Sequence, residues 1–448
     1  MAETDFFEEM SSMDEREQIL KKISKMPSNY VGSKRRLLGH IYDATKEYNI
    51  KFDSVLDSFS GSGLVSLLFK HMGKTVYSND LLTSSAISAV SLLENDTPPL
   101  STNEIKELCT RTPSNKTDFV LSSYKDKFFT ERECIFLDNY RRNVEELYGP
   151  KFFCGLDLLN KATLSSIPNS NFTVTGNDLK KIRGVHDENT PFWKEKWRDT
   201  TRKRRDANNE IKFEESIEEV KNKYESAYSL FVMQTHVNQN CFLGGRYYNG
   251  QTVAKLEHRL KHLKNEDTEI NDIRVKSDEF KKMMTCGKSI VFNSDIMSLL
   301  GSKTLSADLI YLDPPYGGGS SDYANLYQFL EEYIYEQPID TLEHIQNGGK
   351  RFAKRKGYQA QFEELLSLCN PFKTWMLSYN DSSYADLDTI TSTIKNAGKQ
   401  NIIVKQIPIT YQYRKGKGDV DAEHFKDNFL DGGHKFMSRG IEYLILAQ

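Results

Sequence analysis

Four consecutive residues, Asp313-Pro314-Pro315-Tyr316, have the composition of a site that binds an amine. The two prolines fix φ and donate no backbone hydrogen bonds, which leaves carbonyl groups free to accept. The Asp313 carboxylate and the Pro314 carbonyl could both accept hydrogen bonds from an exocyclic amino group, keeping its nitrogen lone pair available for attack on an electrophile. Tyr316 offers a face for stacking a nucleobase. A surface turn is the alternative, but the apolar run before the motif and the glycines after it favour a site.

A second motif has the chemistry of a nucleoside-binding turn. Phe59-Ser60-Gly61-Ser62-Gly63 follows the apolar residues 54–56 and Asp57. Glycines allow the backbone to approach a ligand closely, and a helix beginning there presents its N-terminus to that ligand. Asp80 ends the next predicted strand, where an acid can accept hydrogen bonds from a ribose diol. NAD is an alternative ligand, although Ser66 replaces the third glycine of its usual motif.

Alternating strands and helices would position both motifs at one edge of a sheet. The pattern predicts a strand–helix–strand unit over 54–56, 64–72 and 75–77, and further strands at 289–292, 307–312, 374–378, 401–409 and 441–446. Ligands of open α/β sheets bind at the carboxyl ends of the strands. The sequence therefore predicts one sheet assembled from both ends of the chain.

The middle of the chain lacks this alternation and is rich in Lys, Glu, Asn and aromatic residues. We interpret it as a mainly helical insertion, with helices over 213–228 and 253–264. The predicted division is an N-terminal lead-in (1–26), a domain of two pieces (27–100 and 289–448) and the insertion (101–288).

Composition limits the class of the protein and its expected location in the cell. Of 448 residues, 38% are hydrophobic and 27% charged, and no apolar run approaches the ~20 residues of a membrane span. The acidic start of the chain does not have the layout of a signal peptide. Six scattered cysteines, without a Cys/His cluster, argue for a cytoplasmic protein with reduced thiols and against a metal site.

Charge is distributed unevenly. The net charge is −3, yet residues 180–205 contain ten Lys/Arg and four Asp/Glu. A run such as Arg202-Lys203-Arg204-Arg205 is more often a solvated charge run. Here three aromatic residues lie near it in sequence, and it falls in the insertion of a protein with a candidate nucleobase site, which together favour contact with nucleic-acid phosphates. A second basic cluster, which includes Arg351 and Lys354, follows the Asp-Pro-Pro-Tyr motif and is a further candidate for flanking DNA.

Together the two motifs resemble those of amino-methyltransferases. Their order resembles the α group of DNA adenine-N6 methyltransferases, which includes the GATC-modifying Dam enzymes. Residues 29–34 are similar to the N-terminal motif of that group, in which an aromatic residue and a lysine, here Tyr30 and Lys34, contact the methionine part of the cofactor. Residues 293–296 resemble the motif whose aspartate, here Asp295, faces the cofactor's adenine. The resemblance covers 27–95 and 230–448.

The resemblance implies an α/β fold: a doubly wound, mostly parallel methyltransferase sheet with a C-terminal antiparallel hairpin and an inserted target-recognition domain that binds DNA. It implies site-specific methyl transfer from S-adenosyl-L-methionine to adenine N6 in double-stranded DNA, by base flipping and direct in-line attack. The expected setting is a restriction-modification system with a cognate restriction endonuclease, and the expected state is a monomer or weak dimer.

The resemblance also assigns site residues. The catalytic motif is Asp313, Pro314, Pro315 and Tyr316, and the target base lies near Ser378 and Tyr379. The expected cofactor-binding residues are Tyr30, Lys34, Asp57, Phe59, Gly61, Gly63, Asp80, Asp295 and Ile296.

Three alternatives stay open at this point. A methyltransferase of RNA adenine or of DNA cytosine N4 would use similar motifs, although Asp313 and Tyr316 favour adenine and the large insertion favours duplex DNA. A catalytically idle DNA-binding relative is the third, against which the intact motif residues argue.

Overall fold

The structure is a computed structural model of the chain. It describes residues 14–24, 30–93, 100–166 (without 101–103, 105–106, 109, 116, 126–130 and 148–149), 204–205, 211–213, 289–316, 322–414 (without 350, 355 and 382), 428–431 and 435–448. Residues 214–228 and 253–264 of the two predicted helices lie outside these residues, and Phe213, where the first of them was predicted to begin, is instead the last residue of a short strand.

Helices alternate with strands at both ends of the chain. The helices are α1 (Glu15–Ser24), α2 (Leu38–Glu47), α3 (Leu64–His71), α4 (Thr83–Leu93), α5 (Phe119–Tyr124), α6 (Glu131–Glu145), α7 (Pro150–Ser166), α8 (Ile296–Gly301), α9 (Tyr323–Leu326), α10 (Gln328–Tyr335), α11 (Glu343–Gly348), α12 (Tyr358–Leu368) and α13 (Leu387–Asn396). Two short 3₁₀ helices cover Lys34–Arg36 and Ile339–Thr341. The strands are β1 (Ser54–Asp57), β2 (Thr75–Asp80), β3 (Arg204–Arg205), β4 (Ile211–Phe213), β5 (Ser289–Asn293), β6 (Leu309–Leu312), β7 (Thr374–Asn380), β8 (Ile402–Arg414), β9 (Asn428–Asp431) and β10 (Lys435–Ala447).

The main sheet has the strand order β5-β2-β1-β6-β7-β10-β8, with β9 paired to β10. The pairs from β5 to β7 are parallel, whereas β10 runs antiparallel to both β7 and β8. This confirms the predicted mostly parallel sheet with a C-terminal antiparallel hairpin. The order reverses between β1 and β6, so the sheet's switch point lies between the two predicted motifs.

Hydrophobic cores cover both faces of the sheet, as expected of a doubly wound fold. On one face α2 and α3 contribute Ile41, Leu68 and Phe69 to a core shared with Val55 of β1. On the other, α12 and α13 contribute residues such as Phe362 and Ile394 to a core shared with Leu56, Ile310 and Leu312. All four residues of β6 are buried, which explains its continuous apolar sequence.

A third core joins part of the predicted insertion to the flanking helices of the sheet. Val120 of α5, Tyr140 of α6 and Leu159 of α7 pack in one cluster with Ile87 of α4 and Phe329 of α10. The predicted boundary after residue 100 therefore falls within a shared hydrophobic core. No helix in the described part of the chain is long and apolar enough to cross a membrane.

A buried carboxylate, Glu331 of α10, holds the start of α4 in place. Its Oε1 accepts hydrogen bonds from the Ser84 amide (2.9 Å) and hydroxyl (2.7 Å), and its Oε2 accepts one from the Thr83 amide (3.1 Å). His344 Nε2 lies 3.2 Å from Oε2. The first amides of a helix have no partners within the helix, so this carboxylate ties α4 to α10.

We predict that Glu331→Ala lowers the free energy of unfolding by about 3 kcal/mol, because buried amides lose their acceptor. Urea denaturation followed by circular dichroism measures the change. Glu364→Ala, an exposed position on α12, is the matched control and should change stability by less than about 0.5 kcal/mol. Equal effects of the two substitutions would contradict the role assigned to Glu331.

Candidate active site

A cavity opens at the carboxyl ends of β1, β2, β5 and β6, as the switch point predicts. Its volume is about 930 Å³, including the part open to solvent, which suits a nucleoside-sized ligand. Ten of the predicted site residues line it: Tyr30, Lys34, Asp57, Phe59, Gly61, Asp80, Asp295, Ile296, Asp313 and Pro315. Three predicted residues are not part of this lining. Gly63 is the N-cap of α3 with φ of +73°, Pro314 lies in the chain between two lining residues, and Tyr316 contacts Asp313.

Asp313, Tyr316 and Lys34 form a compact polar group beside the cavity. The Tyr316 hydroxyl donates to Asp313 Oδ1 (2.6 Å), and Lys34 Nζ lies 3.0 Å from the same oxygen and 2.6 Å from the Tyr316 hydroxyl oxygen. Burial raises the pKa of Asp313, and the charge of Lys34 opposes that rise. The Lys34 side chain is 8% exposed. The arrangement thus holds a carboxylate acceptor and a nearby cation out of bulk water.

The Tyr316 ring is held from the β7 side of the sheet. The ring makes an edge contact with Tyr379, at 5.2 Å between ring centroids. The backbone carbonyl of Tyr316 accepts a hydrogen bond from the Tyr384 amide. Ser378 hydrogen bonds with the buried Tyr311 hydroxyl. Ser378 and Tyr379, which the sequence associates with the target base, therefore lie next to the Asp-Pro-Pro-Tyr turn.

The glycine turn is bound to the end of β2 through Asp80. Asp80 Oδ2 accepts a hydrogen bond from the Gly61 amide (2.7 Å), and Oδ1 accepts one from the Leu82 amide (2.9 Å). Burial raises the pKa of Asp80 to about 6, against the lowering effect of these amides. Gly61 has φ of +50°, and a Cβ there would lie 2.9 Å from Tyr30 Cε1. A side chain at 61 would therefore collide with Tyr30.

Asp57 has an unsatisfied carboxylate oxygen in the wall of the cavity. Its Oδ2 accepts a hydrogen bond from the Ser66 hydroxyl (2.6 Å), whereas its buried Oδ1 has no hydrogen-bond partner among the described residues. Burial raises the pKa of Asp57 to about 7, and the charge of Asp313 adds to the rise. A buried acceptor without a partner beside a cavity is suited to a ligand that brings a donor or a positive charge.

Asp295 is the N-cap residue of α8 and also lines the cavity. Its carboxylate accepts hydrogen bonds from the Ser298 amide and hydroxyl, both at 3.1 Å. Arg351 Nε lies 3.0 Å from Asp295 Oδ1. The sequence groups Arg351 with a basic cluster near DNA, and the structure places it in the cavity wall. Ile296, the first residue of α8, is buried beside it.

Two tyrosines that sequence reasoning missed support Tyr30. Tyr30 stacks on Tyr327 (centroids 4.6 Å apart) and on Tyr323 (5.8 Å). The Tyr327 hydroxyl accepts a hydrogen bond from the Val31 amide at 2.7 Å. The spacing of four residues between Tyr323 and Tyr327, shortly after the Asp-Pro-Pro-Tyr motif, was the available signal.

Part of the predicted DNA contact lies beyond what the structure describes. Arg202 and Lys203 are outside the described residues, and Arg204 and Arg205 are described as the backbone of β3, paired with β4. Among the described residues, no group of His, Cys, Asp and Glu side chains is arranged to hold a metal ion.

The fold and the two polar turns at the ends of β1 and β6 are those of an amino-methyltransferase. The chain belongs to the D12 class of N6 adenine-specific DNA methyltransferases, whose family pattern matches residues 30–391. This family methylates adenine in DNA, which decides against the cytosine-N4 and RNA alternatives. It also makes the chain an enzyme rather than an idle DNA-binding relative.

Two relatives show the extent of the similarity. The chain is 25% identical over 388 residues to Type II methyltransferase M2.HphI of Haemophilus parahaemolyticus, covering 86% of this chain and 91% of that protein. It is 22% identical over 393 residues to Modification methylase LlaI of Lactococcus lactis subsp. lactis, covering 86% of this chain and 51% of that protein. The similarity therefore extends through nearly all of the first relative.

We predict that Asp57→Asn stabilises the ligand-free protein at pH 8 and has a smaller effect at pH 5. Asp57 has a pKa of about 7 in the folded state and an ordinary value near 4 in the unfolded chain. Between these two pH values the folded protein therefore holds a proton that the unfolded chain has released. The charge of Asp57 therefore reduces stability increasingly between pH 4 and 7, and fully above that range. Melting temperatures of the variant and the parent at the two pH values test this.

Asp308→Asn is the control, for which we expect a change in melting temperature of the opposite sign. Hydrogen bonds from the Asp53 and Ser54 amides and the Ser54 hydroxyl lower the pKa of Asp308, so its charge stabilises the fold above pH 4. This substitution should lower the melting temperature at both pH values. If both substitutions lowered the melting temperature at pH 8, the interpretation of Asp57 would be wrong.

Proposed function

We propose that this enzyme transfers the methyl group of S-adenosylmethionine to adenine N6 at a specific sequence in duplex DNA, after flipping the adenine out of the helix. The observation that carries the proposal is the position of Asp313. Its carboxylate lies in the wall of the same cavity as Asp57 and Asp80, at the switch point between β6 and β1. An acceptor for an amine thus adjoins a site suited to a nucleoside.

The cavity residues fit the chemical groups of S-adenosylmethionine. The free Oδ1 of Asp57 suits the ammonium of its methionine part, and Asp80 suits the ribose hydroxyls. Asp295 and Ile296 would bind the adenine, Phe59 would pack near it, and the turn from Gly61 to Gly63 together with Tyr30 would enclose the remainder. When bound, this cofactor supplies an electrophilic sulfonium methyl group.

The Asp-Pro-Pro-Tyr turn would orient the target amine. Asp313 and the Pro314 carbonyl accept its two hydrogens, which stabilises the positive charge that develops on nitrogen during in-line attack. Pro315 keeps the turn rigid, and Tyr316 contributes stacking surface for the base. The charge of Lys34 opposes the rise in the pKa of Asp313 that burial causes, and so favours the ionised carboxylate, which is the stronger acceptor. Much of the rate would come from holding nitrogen and methyl group in line.

Sequence recognition is assigned to the insertion. We propose that the target-recognition domain lies within residues 101–288, with α5, α6 and α7 anchoring it to the methyltransferase domain. Their shared core with α4 and α10 supports this division. The run Arg202-Lys203-Arg204-Arg205 would contact phosphates of the duplex.

The names of the relatives, one a Type II methyltransferase and the other a modification methylase, support a restriction-modification role. We propose that this enzyme protects the sites of a cognate restriction endonuclease. Expression in a host that lacks adenine methylation, followed by sequencing of modified bases, would identify those sites.

We predict that Asp313→Ala reduces methyl transfer to duplex DNA by at least about 100-fold with an unchanged circular dichroism spectrum. Transfer of tritium from labelled S-adenosylmethionine measures activity, and RNA of the same sequence tests the preference for DNA. Asp388→Ala, an exposed aspartate on α13, is the control and should keep full activity. Full activity of Asp313→Ala would refute the catalytic assignment.

We predict that the double charge reversal Arg204→Glu and Arg205→Glu weakens DNA binding and flattens its salt dependence. Each lost phosphate contact should reduce the slope of log K against log salt by about 0.9. Fluorescence anisotropy at several salt concentrations measures both quantities. The control is Lys46→Glu with Lys51→Glu: Lys46 lies in the last turn of α2, Lys51 precedes β1, and neither lines the cavity. Unchanged affinity and slope in the first variant would exclude phosphate contact there.

A further inference from the structure

Gly348, Gly349, Arg351 and Phe352, at and after the end of α11, line part of the cavity, and no cofactor motif in the sequence identifies them. Gly348, the last residue of α11, lies against the cofactor side: a Cβ there would approach Leu81 Cδ1 to 2.9 Å and Asp295 Oδ1 to 3.3 Å. Gly348, Arg351 and Phe352 all line the cavity. A segment downstream of the Asp-Pro-Pro-Tyr motif is thus packed on Leu81, which follows β2, and on Asp295, the N-cap residue of α8.

Arg351 contacts both oxygens of the Asp295 carboxylate. Its Nε lies 3.0 Å from Oδ1 and its Nη2 lies 3.5 Å from Oδ2. Asp295 Oδ2 also accepts from the Ser298 amide and hydroxyl. A planar guanidinium holds a carboxylate in one orientation more firmly than a single point of charge does. Asp295 is therefore fixed from two sides, by α8 and by Arg351.

The backbone at Phe352 shows that this placement is determined by its surroundings. Phe352 has φ of +63°, a conformation that is unfavourable for a residue with a side chain and persists only where packing requires it. Its ring is 2% exposed and makes edge contacts with Phe59 (6.1 Å) and Tyr358 (6.0 Å), and its amide donates to Gln361 Oε1. The turn directs Phe352 to the glycine motif and Arg351 to Asp295.

We propose that Arg351 is a positioning residue for the nucleobase end of the cofactor site, and that it makes this end selective for a base with an exocyclic amine. Asp295, held by Arg351, presents a carboxylate that only accepts hydrogen bonds. An amino group satisfies it, whereas a carbonyl oxygen at the same position of the base would repel it. The inference rests on the proposed function, because it takes the ligand to be S-adenosylmethionine.

Two ligands that differ in that one group test the proposal: S-adenosylhomocysteine and S-inosylhomocysteine, its 6-oxo counterpart. Dissociation constants are measured by calorimetry for the full-length protein and for Arg351→Met, Arg351→Lys and Lys354→Met. We expect Arg351→Met to weaken S-adenosylhomocysteine binding by about 10-fold and to leave S-inosylhomocysteine binding nearly unchanged. Arg351→Lys, which keeps the charge without the planar group, should lose part of the preference. Lys354→Met, an exposed neighbour, should behave like the parent.

Other outcomes would overturn the proposal. If Arg351→Met weakened the binding of both ligands equally, Arg351 would only support the cavity wall. If both dissociation constants were unchanged and the KM for DNA rose, Arg351 would be a phosphate contact. If Arg351→Met does not fold, an unchanged ratio in Arg351→Lys decides against the proposal. A parent protein that binds neither ligand would instead refute the proposed cofactor, so the two failures are distinguishable.

Discussion

The pairing of β1 with β6 joins parts of the chain that are far apart in sequence and brings the two motifs together. Asp57 is in register with Tyr311, and the amide and hydroxyl of Ser58 both donate to the Tyr311 carbonyl, across 253 positions of sequence. Each strand then leads directly into its polar turn. A slip of this register would separate Asp313 from the glycine turn, since side chains alternate between faces along a strand.

Burial of carboxylates is the main electrostatic cost of the site. Asp57, Asp80 and Asp313 line one cavity, and in each case burial raises the pKa. Lys34 offsets part of this cost at Asp313, while the amides of Gly61 and Leu82 do so at Asp80. An excess of buried negative charge reduces the stability of the empty protein and suits a ligand that carries positive charge, as the proposed cofactor does at its sulfonium and ammonium groups.

The sequence predicts those parts of the molecule whose structure or function depends on residues close together in the chain. The glycine turn, the Asp-Pro-Pro-Tyr turn and the order of the strands follow from local patterns, and the structure confirms the predicted fold. The C-terminal strands extend to Arg414 and back to Lys435, several residues beyond their apolar cores, because their outer parts pair with each other through the backbone. Backbone pairing of polar residues leaves no hydrophobic pattern to read.

The remainder depended on contacts between distant residues. In the sequence Arg351 is part of a basic cluster, whereas in the structure it pairs with Asp295, 56 positions away. The helices α5 to α7 belong by composition to the insertion, yet their apolar faces pack on α4 and α10. In both cases the sequence shows the chemical type of the residues but not which residues they contact, because contacts between distant residues are set by the fold.

The two cations of the cavity hold their carboxylates in different ways, and the difference matches the proposed functions of the two ends. Lys34 presents one ammonium to Oδ1 of Asp313, and under the proposed function the incoming adenine amine would take the place of this contact as the base binds. Arg351 presents a planar group to Asp295, which is also bound by Ser298, so this acceptor stays in one orientation. A target base enters and leaves in every turnover and needs a displaceable partner, whereas cofactor selection needs an acceptor that does not turn away.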